Sequence, residues 1–314
     1  MSAPEAARGV EAARHGRGTL PAALALVAIV VLGALRVAIE PRYLPPVRFR
    51  LANEEREIVE RTLSAAAVPD DDLARALAGK RVLLLGESHF YAEPLAFATS
   101  LLEALYRVDH RPAVLLLELP GGAQRDLDRY LASGAEASLA AAWDRSDTLP
   151  YQKLVRWARA HPDLVHAVVA FDEDPARIFL MRALGTDTRN GTMADAVLRA
   201  AREHPDDRVV VYGGRFHVML AGRYLYDSET RSPIGERLLS AGLRRSELAA
   251  VWVYAGEPPA AGLWPRPGAI SLAGAAGALP VALFEPEPIA RASRLDELVD
   301  YAVYLGPGTR IEGR

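Results

Sequence analysis

The sequence contains no cysteine among its 314 residues. This absence excludes disulfide bonds, thiolate metal sites, a cysteine nucleophile and a lipid-modified cysteine anchor. Lysine occurs only at Lys80 and Lys153, so arginine carries nearly all of the positive charge, and the net charge of -3 argues against a nucleic-acid-binding surface. The sequence also lacks a phosphate loop, a dinucleotide-binding glycine motif and a His-Glu-x-x-His motif, which excludes P-loop and ordinary zincin chemistry.

The N-terminal part of the chain divides into three segments. Residues 1–18 are small and polar, and we expect a disordered tail. Residues 19–39 are mostly apolar and carry one charge, on Arg36, and roughly 20 residues at about 1.5 Å each span the ~30 Å hydrocarbon layer. We therefore predict a transmembrane anchor there, with a cleaved signal peptide as the alternative. Residues 40–50 hold three prolines and predict a stiff linker. Residues 51–314 are the predicted folded domain, which we expect outside the cytoplasm in a single-pass membrane protein.

Short apolar runs followed at once by polar residues recur along this domain, and helical patterns separate them. Such alternation predicts an α/β fold with a mainly parallel central sheet flanked by helices. The four clearest predicted strands are 81–85, 113–117, 166–171 and 208–212. Leu248–Tyr254 is a further predicted strand, and Val281–Phe284 and Tyr301–Leu305 are predicted late or edge strands. The Gly- and Pro-rich stretch 256–280 between them is a predicted long loop.

Ionisable residues follow each of the four clearest strands. Because the carboxyl ends of parallel strands meet at one edge of a sheet, we expect these side chains to lie over the same edge, where open α/β sheets bind ligands. Several ionisable groups at one edge, two of them imidazoles, indicate a functional site. The residues concerned are Glu87, His89, Glu118, Asp172 and His217.

This set of side chains allows more than one chemistry. His89, His217, Glu87 and Glu118 suit a divalent metal ion such as Zn, Mn or Fe, or they can deprotonate water directly. In a second interpretation Ser88 is a nucleophile, since Gly86-x-Ser88 after a strand resembles half of a nucleophile elbow and the order Ser88, Asp172, His217 fits a triad. In a third, Glu87 and His89 merely cap helices.

Two further motifs are expected to complete the site. Arg189 and Asn190 open a predicted helix, and Arg189 is predicted to hold an anionic substrate; the alternative is helix capping by Thr188 or Asn190. Gly213 and Gly214 precede His217 and predict a close approach of the backbone to a ligand.

Taken in order, these motifs resemble the haem-binding-uptake/Tiki superfamily, and its ChaN-like branch most closely. The resemblance spans roughly residues 80–305 and is carried by Gly86-Glu87-x-His89, Glu118, Arg189-Asn190, Met193-Ala194, Gly213-x-x-x-His217, Gly222, Pro233-Ile234 and Asp300-Tyr301. It implies an α/β domain with Glu87, His89, Glu118, Arg189 and His217 as functional residues. Relatives include erythromycin-esterase-like hydrolases, Tiki-like metal-dependent proteases and ChaN-like haem-binding proteins.

Two hypotheses follow from the residues and the resemblance together. The first is a hydrolase, either metal-dependent or water-activating, for a small-molecule or peptide substrate. The second is a haem- or iron-binding protein, in which a histidine ligates the haem and aromatic residues line a flat apolar slot. The residues expected to form that slot are Phe90, Tyr91, Phe216 and Trp264. Two departures from the family pattern are the missing lipoprotein cysteine and the spacing of Glu87 and His89, which is one residue shorter than in the esterase branch.

Overall fold

The computed structural model describes residues 27–28, 30–31, 51–143, 151–184, 189–224, 232–256, 261–264, 266–285, 289–290 and 292–311. The predicted tail, most of the predicted anchor and the predicted linker lie outside these ranges, as do the capping residue Thr188 and residues 312–314. Within the described ranges, no helix combines the length and the apolar character that crossing a membrane requires.

Ten strands and nine α-helices make up the described part of the domain. In chain order they are α1 (Asn53–Ala65), β1 (Ala67–Val68), α2 (Asp70–Ala78), β2 (Val82–Glu87), α3 (Glu93–Asp109), β3 (Ala113–Pro120), α4 (Gln124–Ser133), α5 (Glu136–Trp143), α6 (Gln152–Ala160), β4 (Val165–Asp172), α7 (Pro175–Leu184), α8 (Arg189–Glu203), β5 (Arg208–Gly214), β6 (Arg223–Tyr224), α9 (Ile234–Ser240), β7 (Leu248–Tyr254), β8 (Gly268–Ser271), β9 (Ile289–Ala290) and β10 (Tyr301–Tyr304).

An eight-stranded sheet in the order β1-β8-β10-β7-β2-β5-β3-β4 forms the centre of the fold, and β6 pairs with β9 separately. The strands from β10 to β4 run parallel to one another, whereas β8 runs antiparallel to both β10 and β1. The predicted α/β class is confirmed, and the sheet is mixed because of β8.

Two hydrophobic cores, one on each face of the sheet, explain why the central strands are apolar throughout. In β2, Val82 and Leu84 pack into one core with Met193 of α8, while Leu83 and Leu85 pack into the other with Leu77 of α2. Successive side chains of a strand point to opposite faces, so a strand covered by helices on both sides needs apolar residues at every position. Each such buried Leu or Val contributes about 1.5–3 kcal/mol of transfer free energy.

The structure corrects two local predictions and confirms a third. Val281–Leu283 is a 3₁₀ turn and not a strand, with the Phe284 N–H donating to the Val281 carbonyl at 2.9 Å. The predicted loop 256–280 contains β8, whose pairing partners β1 and β10 are remote in sequence and therefore leave no local signal. The predicted late strand at 301–305 is present as β10, but it lies inside the sheet between β8 and β7.

The N-terminus of α1 is capped by an acid inside the helix. Ala52 occupies the N-cap position, and the Glu55 carboxylate accepts a hydrogen bond from the Ala52 N–H at 2.7 Å. The acid three residues into the helix satisfies the free backbone donor, so the side chain of Asn53 is not required for capping.

Strand register brings the candidate residues together. In the parallel pairing of β2 with β5, Gly86 lies opposite Gly213 and Glu87 lies opposite Gly214. On the other side of β5, the pairing with β3 ends at Leu117 opposite Tyr212, so Glu118 is the next residue along the same edge. The carboxyl ends of three adjacent central strands thus converge at one place.

Candidate active site at the carboxyl edge of the sheet

The buried carboxylate of Glu118 lies at the centre of the site. Its Oε2 atom accepts a hydrogen bond from the Gly214 N–H at 2.7 Å, and its Oε1 atom accepts one from Arg189 Nη2 at 2.8 Å. The Nε2 atom of His217 lies 3.4 Å from Oε1, and the Nε2 atom of His89 lies 3.9 Å from Oε2. The two imidazoles, 128 positions apart in the sequence (217 minus 89), therefore face the same carboxylate from two sides.

Glu87 orients the imidazole of His89. Its Oε1 atom lies 2.6 Å from His89 Nδ1 and also accepts a hydrogen bond from the Tyr151 hydroxyl at 3.3 Å. An ionised carboxylate only accepts hydrogen bonds, so Nδ1 carries the proton. In the neutral ring this leaves the lone pair on Nε2, the atom that faces Glu118.

Asn190 orients the imidazole of His217 in a similar way, but with an amide. Asn190 Nδ2 donates to the Ser232 carbonyl at 3.0 Å, which directs Oδ1 of the same amide towards the ring. His217 Nδ1 lies 2.6 Å from that oxygen and donates to it. His217 is thus held in the same orientation as His89, with Nδ1 on its partner and Nε2 towards Glu118.

The charges around Glu118 and His89 shift both pKa values. Burial by itself raises the pKa of Glu118, but His217, His89 and Arg189 together outweigh it and hold the pKa well below its ordinary value. Burial by itself lowers the pKa of His89, but the hydrogen bond to Glu87 and the charges of Glu118 and Glu87 raise it above 6.5, while Arg215 opposes the rise. The site therefore favours an ionised Glu118 and a readily protonated His89.

Arg189 is directed at acids of the domain itself. Its Nε and Nη2 atoms donate to the two oxygens of Asp172 at 2.8 and 2.7 Å, and Nη2 also contacts Glu118. Two of its three nitrogens thus hold Glu118 and Asp172 in place. The predicted contact of Arg189 with an anionic substrate stays a prediction.

Both alternative interpretations of the first motif are wrong. The Ser88 triad is not assembled among the described residues, because Asp172 pairs with Arg189 and His217 Nδ1 pairs with Asn190. The capping interpretation also fails, because Glu87 and His89 bond to each other and the following helix α3 has no side-chain cap. Asn190 likewise lies inside α8 and uses its amide to hold His217 rather than to cap the helix.

The paired glycines allow side chains to approach the end of β5 closely. A Cβ atom on Gly214 would lie 2.9 Å from His89 Nε2, and one on Gly213 would lie 2.9 Å from Glu118 Oε2. The close approach at these glycines is made by the site's own side chains, and the predicted approach of a ligand stays a prediction. Any larger residue at position 214 would occupy the space next to His89 Nε2.

Sequence reasoning missed three polar residues next to the site. Tyr151, which is buried under Glu87, lies in a helical insert that carries no motif. Arg215 lies between the two glycines and His217, and its place inside that motif was the one available signal. Glu285 comes directly after the apolar run 281–284, in the position that an acid takes after a predicted strand. That run forms a 3₁₀ turn and not a strand. Arg215 Nη2 donates to Glu285 Oε2 at 2.9 Å.

Comparison with known proteins bears on this arrangement. Residues 73–178 match the family model described as haem-binding uptake, Tiki superfamily, ChaN. The predicted resemblance is confirmed over this range, which contains β2, β3 and β4 and therefore Glu87, His89, Glu118 and Asp172. Arg189, Asn190 and His217 lie beyond the matched residues. A search of curated proteins finds no match.

Three solved structures share the fold at low sequence identity. A mutant of the erythromycin esterase EreC in its open conformation has a TM-score of 0.57 and 14% identity, covering 84% of this chain and 96% of its own. A protein from Bacillus cereus has a TM-score of 0.59 and 12% identity, covering 82% and 99%. A succinoglycan biosynthesis protein has a TM-score of 0.57 and 9% identity, covering 83% and 100%.

The description of the matched family names haem, and the predicted chemistry includes a divalent metal ion. Each would need ligands among the side chains of the site. No group of three or more His, Asp or Glu side chains among the described residues is arranged to hold a metal ion. The oxygens of Glu118 accept from Gly214 and Arg189, and Nδ1 of each imidazole is bonded to Glu87 or Asn190. Glu118 is therefore engaged by the domain itself, whereas Nε2 of each imidazole faces the site.

The predicted haem slot is likewise not formed by its four aromatic residues together. Trp264 is only 6% exposed and packs against Phe284 and Tyr304, with ring centroids 5.7 Å from each. Tyr91 packs against Gly256, where an added Cβ would lie 2.9 Å from its hydroxyl. Phe90 lies beside His89, with ring centroids 6.0 Å apart, and the Phe216 ring lies 5.8 Å from the Arg215 guanidinium.

Proposed function

We propose that this domain is a hydrolase in which His89 activates water without a metal ion. The observation that carries the proposal is the 2.6 Å contact between buried Glu87 and His89 Nδ1, which leaves the Nε2 lone pair facing the site. A histidine held by a carboxylate in this tautomer is a suitable general base. The name of the erythromycin esterase, whose fold is similar, favours an ester as the first substrate class to test.

In the proposed reaction His89 Nε2 takes a proton from water as the water oxygen attacks a carbonyl carbon. Glu87 accepts the Nδ1 hydrogen bond throughout and stabilises the imidazolium that forms. The negative charge of Glu118, 3.9 Å from Nε2, favours the same protonated state. His89 then returns the proton to the leaving alcohol, so the base is regenerated.

The test is hydrolysis of p-nitrophenyl esters with acyl chains of increasing length by the purified full chain. We expect turnover that survives treatment with a chelator and that His89→Ala lowers by at least about 10²-fold. Equal rates in wild type and His89→Ala, or no turnover of any ester in the series, would contradict the proposal. Loss of activity on chelation with recovery on adding Zn or Mn would instead indicate the metal-dependent reaction.

A second candidate function is haem binding, which the description of the matched family favours. The axial ligand would have to be His89 or His217, since these imidazoles lie in the site. Titration of the purified chain with hemin, read from the Soret band, separates the two functions. A saturable band that disappears in one of the two histidine variants would support haem binding and displace the hydrolase proposal.

The location of the domain is a separate proposal that rests on sequence alone. We propose that residues 19–39 anchor the chain in a membrane with the domain outside the cytoplasm. Recovery of the chain in an alkali-washed membrane fraction, and cleavage of its domain by protease added to intact cells, are the expected results. Recovery in the soluble fraction at full length would contradict the anchor.

A further inference from the structure

Arg215 forms a second polar cluster beside the imidazoles. It follows Gly214 at the end of β5, and its Nη1 atom donates to the hydroxyl of Ser88, the residue between Glu87 and His89. Its Nη2 atom donates to the buried carboxylate of Glu285 at 2.9 Å, and its guanidinium lies 4.8 Å from the centre of the Tyr254 ring. The charged group is therefore held from three directions.

The Ser88 hydroxyl can still donate one hydrogen bond. A hydroxyl can accept and donate at the same time, and Ser88 accepts from Arg215. Within the described ranges of the chain the Ser88 hydroxyl bonds to Arg215 alone, so it can still donate its own hydrogen, and the residue is half-buried. A hydroxyl that accepts from a cation is a stronger donor than a free one, because hydrogen bonds in a chain polarise one another.

Hydrolysis of an ester needs such a donor. Negative charge develops on the carbonyl oxygen in the transition state, and fixed donors that face this oxygen lower the barrier. The Gly214 N–H and Arg189, which lie beside the imidazoles, already donate to Glu118. Neither of these bonds can be given up without leaving a buried carboxylate short of a partner.

We propose that Ser88 is a catalytic residue that donates a hydrogen bond to the oxyanion of the tetrahedral intermediate, and that Arg215 is a positioning residue that orients the Ser88 hydroxyl. The inference rests on the proposed hydrolase function and deepens it. It restricts the substrate class to molecules with a reactive carbonyl, such as carboxylic esters.

The complete step balances with the residues already described. The water oxygen bonds to the carbonyl carbon, the water proton moves to His89 Nε2, and the carbonyl π pair moves onto the oxygen that Ser88 stabilises. When the oxyanion collapses, the bond from carbon to the alkoxy oxygen breaks and His89 Nε2 protonates the leaving alcohol. Ser88 forms no covalent bond, which distinguishes this role from that of a nucleophile.

The closing experiment compares Ser88→Ala and Ser88→Thr in the full chain with p-nitrophenyl acetate as the probe. Loss of one oxyanion donor is expected to lower kcat by about 10²–10³-fold with little change in KM, and threonine, which keeps the hydroxyl, is expected to restore most of kcat. If Arg215 acts through Ser88, Arg215→Lys lowers kcat in the wild-type background but adds nothing in the Ser88→Ala background. Intact-protein mass spectra during turnover are expected to show no acyl adduct.

Three results would overturn the inference, and they differ from failure of the proposed function. One is a Ser88→Ala kcat within about threefold of wild type while His89→Ala is inactive. Another is an acyl adduct on Ser88, which would make it the nucleophile. The third is a loss confined to KM, which would make Ser88 a ground-state contact. If wild type hydrolyses no ester at all, the proposed function itself fails.

Discussion

The two imidazoles of the site differ in what lies behind them. His89 has a buried carboxylate, Glu87, on Nδ1, and His217 has a neutral amide, Asn190, at the same distance of 2.6 Å. Both partners accept the Nδ1 hydrogen of their ring and leave Nε2 towards Glu118. Only the carboxylate, however, gains from a positive charge on its ring, because a charged acceptor stabilises an imidazolium far more than a neutral one does.

This difference assigns the two histidines separate tasks. Because the Glu87 carboxylate stabilises the imidazolium, His89 can take up a proton during the reaction, as a general base must. His217 is held at 3.4 Å from Glu118 Oε1 and helps to keep that carboxylate ionised. In the proposed hydrolase, proton transfer therefore belongs to His89, and His217 stabilises the negative charge of Glu118.

The largest expected effect is the loss of the base itself. His89→Ala is expected to lower kcat/KM for ester hydrolysis by about 10³-fold, and His217→Ala by about tenfold. His166→Ala is a matched control, because His166 is the second residue of β4, at the opposite edge of the sheet, and pairs with Asp207 at 3.0 Å. Steady-state kinetics on the three variants measure kcat/KM. Losses of equal size in His89→Ala and His217→Ala would mean that the two histidines do not have separate roles.

A smaller loss is expected from Gly214→Ala, which displaces His89 without removing it. The new Cβ would lie 2.9 Å from His89 Nε2, so the ring has to turn away from its bond with Glu87. A misplacement of this size costs about 10²-fold in rate. Gly79→Ala is the control, since an added Cβ there has nothing within 4 Å. Kinetics and urea unfolding measured together are expected to show lost activity with a folded chain; unchanged kinetics in Gly214→Ala would mean that His89 has no fixed position.

Glu87→Gln sharpens the comparison by giving His89 the kind of partner that His217 has. Removing the carboxylate removes an influence that raises the pKa of His89, so the acid limb of the kcat/KM profile is expected to move to lower pH. The rate at the optimum falls by about tenfold, because the amide still orients the ring. Glu136→Gln, at an exposed pair with Arg156, is expected to leave the profile in place. An unchanged acid limb in Glu87→Gln would mean that this limb does not report the protonation of His89.

The location of the site was predictable from sequence because it depends on a simple regularity. Apolar runs that end in Glu87, Glu118 and Gly213-Gly214 are central parallel strands, and parallel strands place their ends together. The partner of each imidazole was less predictable. The packing of α8 against β4 and β5 brings Asn190 to His217 and Arg189 to Asp172. No local pattern in the sequence predicts this packing.

The structural features that were not predicted also depend on contacts between residues far apart in the sequence. β8 is short and lies in a Gly- and Pro-rich stretch, and it becomes a strand because β10 and β1 pair with it. Tyr151 reaches Glu87 from a helical insert 64 residues away in sequence. Long-range pairing decides such features, so patterns over ten to twenty residues do not contain them.

The smallest expected effect is on stability. The pKa of His89 is raised in the folded chain, so its protonation favours folding; this contribution is complete below the ordinary value of about 6.5 and is lost as the pH rises through the folded-state pKa. The free energy of unfolding of wild type, relative to His89→Gln, is therefore expected to fall by about 1 kcal/mol or less between pH ~5.5 and pH ~8.5. Urea unfolding at both pH values measures the difference. A difference that stays constant or grows towards high pH would mean that Glu87 does not favour the imidazolium, and the contrast between the two histidines would lose its electrostatic basis.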